Sequence, residues 1–209
     1  GLEDAGATSS VDGGGVAVDG GSGNVVVATF QGSLPIGIAT SAHHVAWLYR
    51  IGANTALFAS CAIASVPCEP KTTALDGEAT SIASTGDAIY AATRGTKGRI
   101  VRLGADGIVR DALVGSATSF NSISALVGHP MGIDFFDGGY ASPGQPTVLP
   151  ALYRLAPTEQ ALPEKRLTLK SSDLTDQLLP IGDRYFTREQ ERVLLRSVTL
   201  GTAKEFCGT

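Results

Sequence analysis

Three cysteines, three histidines and a cluster of arginines carry most of the reactive side chains in this chain. Cys61 and Cys68 flank AIASVP, and a turn there, with Pro67 inside it, sets them on facing positions of a hairpin. Facing positions satisfy the Cα separation that a disulfide needs, and a bridge implies an oxidising compartment. The alternative is two unpaired thiols in a cytosolic hairpin. Cys207 is left over, either free or with its partner outside this chain. No Cys-x-x-Cys pair or nearby histidine completes four ligands, so no metal is expected at these cysteines. His43, His44 and His129 fall on predicted turns of non-adjacent segments and read as turn residues. No HExxH, Gly-x-Ser-x-Gly, P-loop or Rossmann pattern is present, so no cofactor is expected. Arg94, Lys97, Arg99, Arg102 and Arg110 crowd one stretch, which reads as a site for an anionic ligand or as a solvated face. Asp134, Asp137, Asp176 and Asp183 stand near predicted turns, each without a recognisable catalytic partner.

Composition bounds the elements that position these residues. Of 209 residues 43% are hydrophobic, enough for a sizeable core, while 26 are glycine and only 17% are charged. Glycine costs about 1 kcal/mol at each helix-interior position, so this balance suits short strands and tight turns better than a helical bundle. The net charge of −4 argues against a general nucleic-acid binder, whose affinity rests on a basic footprint. No uncharged apolar run approaches the roughly 18 residues of a membrane-spanning helix. Residues 1–23 hold Gly, Ser, Asp and small residues with no aromatic, and read as a flexible linker. That start resembles the tether that follows the lipidated cysteine of bacterial lipoproteins, which would place a lipid anchor upstream of Gly1.

From residue 24 onward a unit recurs. Its copies are IGIATSAHHVAWLYR at 36–50, TSIASTGDAIYAATR at 80–94 and LLPIGDRYFTR at 178–188, with a degenerate copy between Asn121 and Phe136. Each has an alternating apolar run, a small turn and a second alternating run carrying an aromatic. Further strands follow at TALFASCAI, GRIVRL, ALYRL and RVLLRSV, and a fourth run at PKTTAL, GIVRDAL and KRLTLK. The segment 187–198 also reads as a helix capped by Thr187, with the strand preferred. NVVVATF, from Asn24, takes the fourth-run place before the first unit. In a four-membered ring it would complete the last repeat. Ile38 and Ile82 stand 44 positions apart. Four short strands per repeat at that period is the pattern of a β-propeller blade; a β-sandwich is the alternative. Period-2 alternation predicts that Ile38, Val45, Trp47, Ile82, Ile89, Ile100, Leu179, Tyr185 and Leu194 are buried between sheets.

The units resemble the blades of secreted bacterial β-propeller repeat proteins. Pro35-Ile36-Gly37-Ile38-Ala39, Val45-Ala46-Trp47 and the cysteine-bounded hairpin Cys61 to Cys68 carry the resemblance in the first unit. Ile82-Ala83, Ile89-Tyr90 and Arg99-Ile100-Val101 carry it in the second. It implies an all-β, propeller-like array of about four four-stranded antiparallel blades over residues 24–209, complete or part of a larger ring. It also implies an extracytoplasmic setting: secreted, periplasmic or held at the outer membrane.

The function expected from this reading is a non-enzymatic binding or scaffold domain for an unknown protein or carbohydrate ligand. The alternative is a propeller lyase or hydrolase with its site at the central channel. Loops carry recognition in such scaffolds. The loops joining second and third strands share a rim with those entering each unit, which selects Tyr49, Arg50, Arg94, Lys97, Asp137, Tyr140 and Arg188 as candidate ligand-binding residues. The third unit carries an insertion, DGGYASPGQPTVLP at 137–150, and a long loop in a compact domain needs a reason.

Overall fold

The computed structural model describes residues 35–65, 68–96, 98–115, 119–139, 148–158 and 162–168 in full, together with the backbone of four later strands. The expected linker 1–23 and the expected strand at 25–30 lie outside the described residues.

Among the described residues, sixteen strands make four sheets. The first holds β1 (Gly37–Thr40), β2 (His44–Gly52), β3 (Thr55–Ala62) and β4 (Lys71–Asp76). The second holds β5 (Glu78–Thr85), β6 (Ala88–Arg94), β7 (Arg99–Leu103) and β8 (Val109–Val114). The third holds β9 (Ile123–His129), β10 (Gly132–Asp137), β11 (Ala151–Leu155) and β12 (Glu164–Thr168). The fourth holds β13 (Thr175–Ile181), β14 (Arg184–Glu189), β15 (Arg192–Ser197) and β16 (Ala203–Cys207). Each sheet is an antiparallel meander in chain order, and the packing runs from β1 to β5, β5 to β9 and β9 to β13. The segment 192–197 is strand, as its β-branched and leucine content favours. The outer place of the last sheet belongs to β16, which pairs with β15.

Alternation explains the core. Along β2, Ala46 and Leu48 face the second sheet, where they meet Ile89, Ala91, Val101 and Leu103. The intervening Trp47 and Tyr49 cluster with Ala59 and Cys61 on the other face. β6 is covered on both sides, so AIYAAT is buried without a break. Its Ile89 and Ala91 point to the first sheet, while Ala88, Tyr90 and Ala92 point to the third. Phe135 stacks on Tyr153 at 5.3 Å, and Phe120 meets both edge-on. Trp47, Ile89 and Ile100 are buried as expected, while Val45 and Ile82 are only partly buried. Ile38 is not buried: it is 58% exposed. In β1 it is Ala39 that packs toward the second sheet, while Ile38 pairs with Trp47 on the face turned away from it. Leu179, Tyr185 and Leu194 lie where only the backbone is described.

Two buried polar devices lock the third sheet. Asp134, fully buried, receives Arg154 Nε at 2.7 Å and Nη2 at 2.9 Å from the neighbouring strand. Ser81 Oγ of β5 accepts the Leu126 N–H of β9 at 3.0 Å, tying the second sheet to the third.

Candidate functional site

The meander sorts the strand ends onto two rims. One rim gathers the ends of β2, β6 and β10 with the starts of β5 and β9. The opposite rim gathers the starts of β2, β6 and β10 with the turns β3–β4 and β7–β8.

On the first rim Glu78 opens β5 and stands opposite Arg94 in the ladder. Its carboxylate takes Arg94 Nε at 2.7 Å and, from the first sheet, Arg50 Nη2 at 2.5 Å. The hydrogen bond from Arg94, with the Arg50 charge adding, holds the Glu78 carboxyl below the usual carboxylate range. Both guanidinium side chains remain about half exposed, at 52% and 49%, against 22% for Glu78. Backbone bonds knit the same rim: Gly77 N–H donates to Asn54 O, and Gly95 N–H to Asn121 O. Thr93 Oγ1 donates to Asp76 O at 2.7 Å.

Asp137 ends β10 on this rim but is only 3% exposed. Its Oδ1 accepts the Ser122 N–H at 3.1 Å. Burial pushes its carboxyl up, and backbone bonds from Ser122, Phe120 and Gly139 oppose that rise. Phe120 takes a positive φ of 54° in the loop that Asp137 gathers. Asp137 therefore ties the backbone of 120–122 to that of Gly139.

The expected recognition residues separate into three groups. Arg50 and Arg94 meet on Glu78. Tyr49 lies within β2, buried in the Trp47 cluster, and burial raises its phenol. Arg188 lies in β14 opposite Val193, with its side chain outside the described residues, as are Lys97 and Tyr140. In the arginine cluster Arg99 pairs with Asp111 and Arg110 with Asp106. Sequence reasoning missed Glu78. The usable signal was its position at the first residue of the second unit's ladder, facing the arginine that ends each second run.

On the opposite rim a cleft of 420 Å³ opens between the first and second sheets. His44, Ser60 and Cys61 are its buried walls, and Ser65, Glu69 and Lys71 stand at its mouth. The Cys61–Cys68 disulfide, with Cα atoms 6.1 Å apart, closes the arch behind it. Gly107 comes in from the β7–β8 turn at φ +71°, and a Cβ there would sit 3.2 Å from His44 Nε2. His44 is not the exposed turn residue expected from sequence. It begins β2, is 8% exposed, and its Nδ1 is buried with no hydrogen-bond partner. Burial holds its pKa below the usual histidine value, and His43 and Lys71 act in the same direction. His129 is the last residue of β9, its Nδ1 accepting the Met131 N–H from the turn that follows. Among the described residues no group of three or more His, Cys, Asp or Glu is placed to hold a metal ion.

No family model matches the chain, and no curated protein matches it. Solved structures do. TolB from Acinetobacter baumannii superposes at a TM-score of 0.52 with 11% identity, covering 83% of this chain and 43% of that one. The chain has a β-propeller fold. Sqt1 from Saccharomyces cerevisiae gives 0.49 at 13% identity, over 79% of this chain and 45% of its own. The RRP9 WD40 repeats give 0.46 at 11% identity, over 81% and 64%. The propeller chain described here thus spans less than half the length of TolB and of Sqt1.

Proposed function

We propose that this propeller is a non-enzymatic binding or scaffold module working outside the cytoplasm. Its recognition surface is the rim of Arg50 and Arg94 together with the 137–150 insertion of the sequence, and its ligand is a protein or carbohydrate bearing anionic groups. The observation that carries this reading is the Arg50–Glu78–Arg94 cluster. Two guanidiniums from neighbouring sheets share one carboxylate, which leaves one positive charge in excess and fixes both side chains in place. Guanidiniums held this way recognise carboxylate and sulfate groups with directional hydrogen bonds, and preorganisation lowers the entropy lost on binding.

Two of the four carboxylates considered for a lyase or hydrolase, Asp134 and Asp137, support this reading by their other use; the side chains of Asp176 and Asp183 lie outside the described residues. Asp134 is occupied by Arg154, and Asp137 by backbone N–H groups. The disulfide supports an oxidising compartment. No helix among the described residues is long and apolar enough to cross a membrane.

The test is binding to arrayed acidic polysaccharides and acidic peptides. The wild-type chain is compared with R50E/R94E and with a chain lacking residues 138–147. Loss of the same ligands in both variants, with folding kept, supports the proposal. Ligands retained by both variants place recognition elsewhere.

A further inference from the structure

We propose that the cleft on the opposite rim binds a small zwitterion of the α-amino acid class, with Lys71 taking its carboxylate and Glu69 its ammonium group. This site lies at the other end of the strands from Arg50 and Arg94 and does not rest on the function proposed above.

Lys71 and Glu69 carry opposite charges, and both line the cleft. Neither Lys71 nor Glu69 forms an ion pair with another described residue, and the two stand two positions apart. Lys71 opens β4, and Glu69 lies just before it with Pro70 between them, whose ring fixes its own φ. Two opposite charges therefore face one space without neutralising each other, which suits a ligand that carries both.

The interior of the cleft adds hydrogen-bonding capacity. His44 is one wall of the cleft, and its Nδ1 is buried without a hydrogen-bond partner. A neutral imidazole offers one donor and one acceptor, and Ser60 and Ser65 add hydroxyls. The space of 420 Å³ lies in the range of small-ligand sites and suits one amino acid better than a polymer. The Cys61–Cys68 bridge spans only seven positions and holds Glu69 close to the Ser60 wall, so the site is formed before the ligand arrives.

The chain has three histidines, which makes imidazole NMR signals the direct readout once each is assigned with H43N, H44N and H129N. Alanine is titrated above pH 7, with N-acetylalanine and alaninamide as ligands that each lack one charge. The expected result is a saturable shift of the His44 signals by alanine, with both blocked ligands roughly tenfold or more weaker. K71M and E69Q each weaken alanine by a similar factor, while Trp47 emission stays unchanged as evidence of folding. No His44 shift up to tens of millimolar alanine overturns the proposal. So does equal binding of a blocked ligand, or an alanine response that survives both substitutions.

Discussion

At the scale of single residues, the buried polar groups carry the sharpest consequences. Removing the guanidinium of Arg154 leaves the Asp134 carboxylate at zero exposure without its bidentate partner. Breaking one side of a buried pair costs about 3–5 kcal/mol. R154M is therefore expected to lower the unfolding free energy from urea denaturation strongly, whereas R99M, at a partly exposed pair, lowers it by no more than about 1 kcal/mol. His44 gives a pH signature. Its folded pKa lies below the usual 6.5, so the unfolded chain takes up the proton first as pH falls. The stability tied to neutral His44 is thus present above about pH 6.5 and is lost on acidification. Unfolding free energies measured between pH 5 and 7.5 should slope upward with pH, and H44Q should flatten that slope. Sequence pattern exposed the histidine pair but not this burial. A turn prediction places both residues outside, and only the approach of Gly107 from another sheet closes over one of them. Asp137 shows the same limit: its type and place beside a long loop suggest ligand contact, while its oxygens face the backbone of Phe120, Ser122 and Gly139.

At the scale of strands, period-2 alternation made most of the fold legible. Leu48, Ile89, Ile100 and Phe135 follow it because each has a sheet opposite. Ile38 departs from it because alternation assigns a side chain to a face without saying whether a neighbour covers that face. The run at β16 was missed because AKEFC mixes charge with apolar residues and shows no clear period. Spacing between sheets also escapes a one-dimensional reading. Gly128 sits where β9 passes so close to β5 that an added Cβ would run into the Ser84 carbonyl. G128A therefore forces two backbones apart, and an overpacked contact of this kind costs about 1–3 kcal/mol. The check is chemical denaturation beside S81A, which loses one intersheet hydrogen bond and about 1 kcal/mol. A G128A protein as stable as wild type would show that the two strands can separate without penalty.

At the scale of the whole molecule, the disulfide links fold to setting. Under the chain-entropy account a loop this short contributes about 2–3 kcal/mol. Reduction, or C61S/C68S, should lower the melting temperature measurably. Intact mass with and without reductant should differ by one bridge; full alkylation of all three thiols without reductant would contradict it. The ladder at the third sheet has another consequence. Asp137 and Ala151 face each other as partners, so the chain between them returns to the point from which it departed. Both ends are anchored by the sheet, and doubling such a loop costs only about 0.6 kcal/mol in closure entropy. That position is a natural socket: foreign peptides of varied length can be spliced there while the blades beneath stay unchanged, making the domain a display platform for sequences it never evolved to carry.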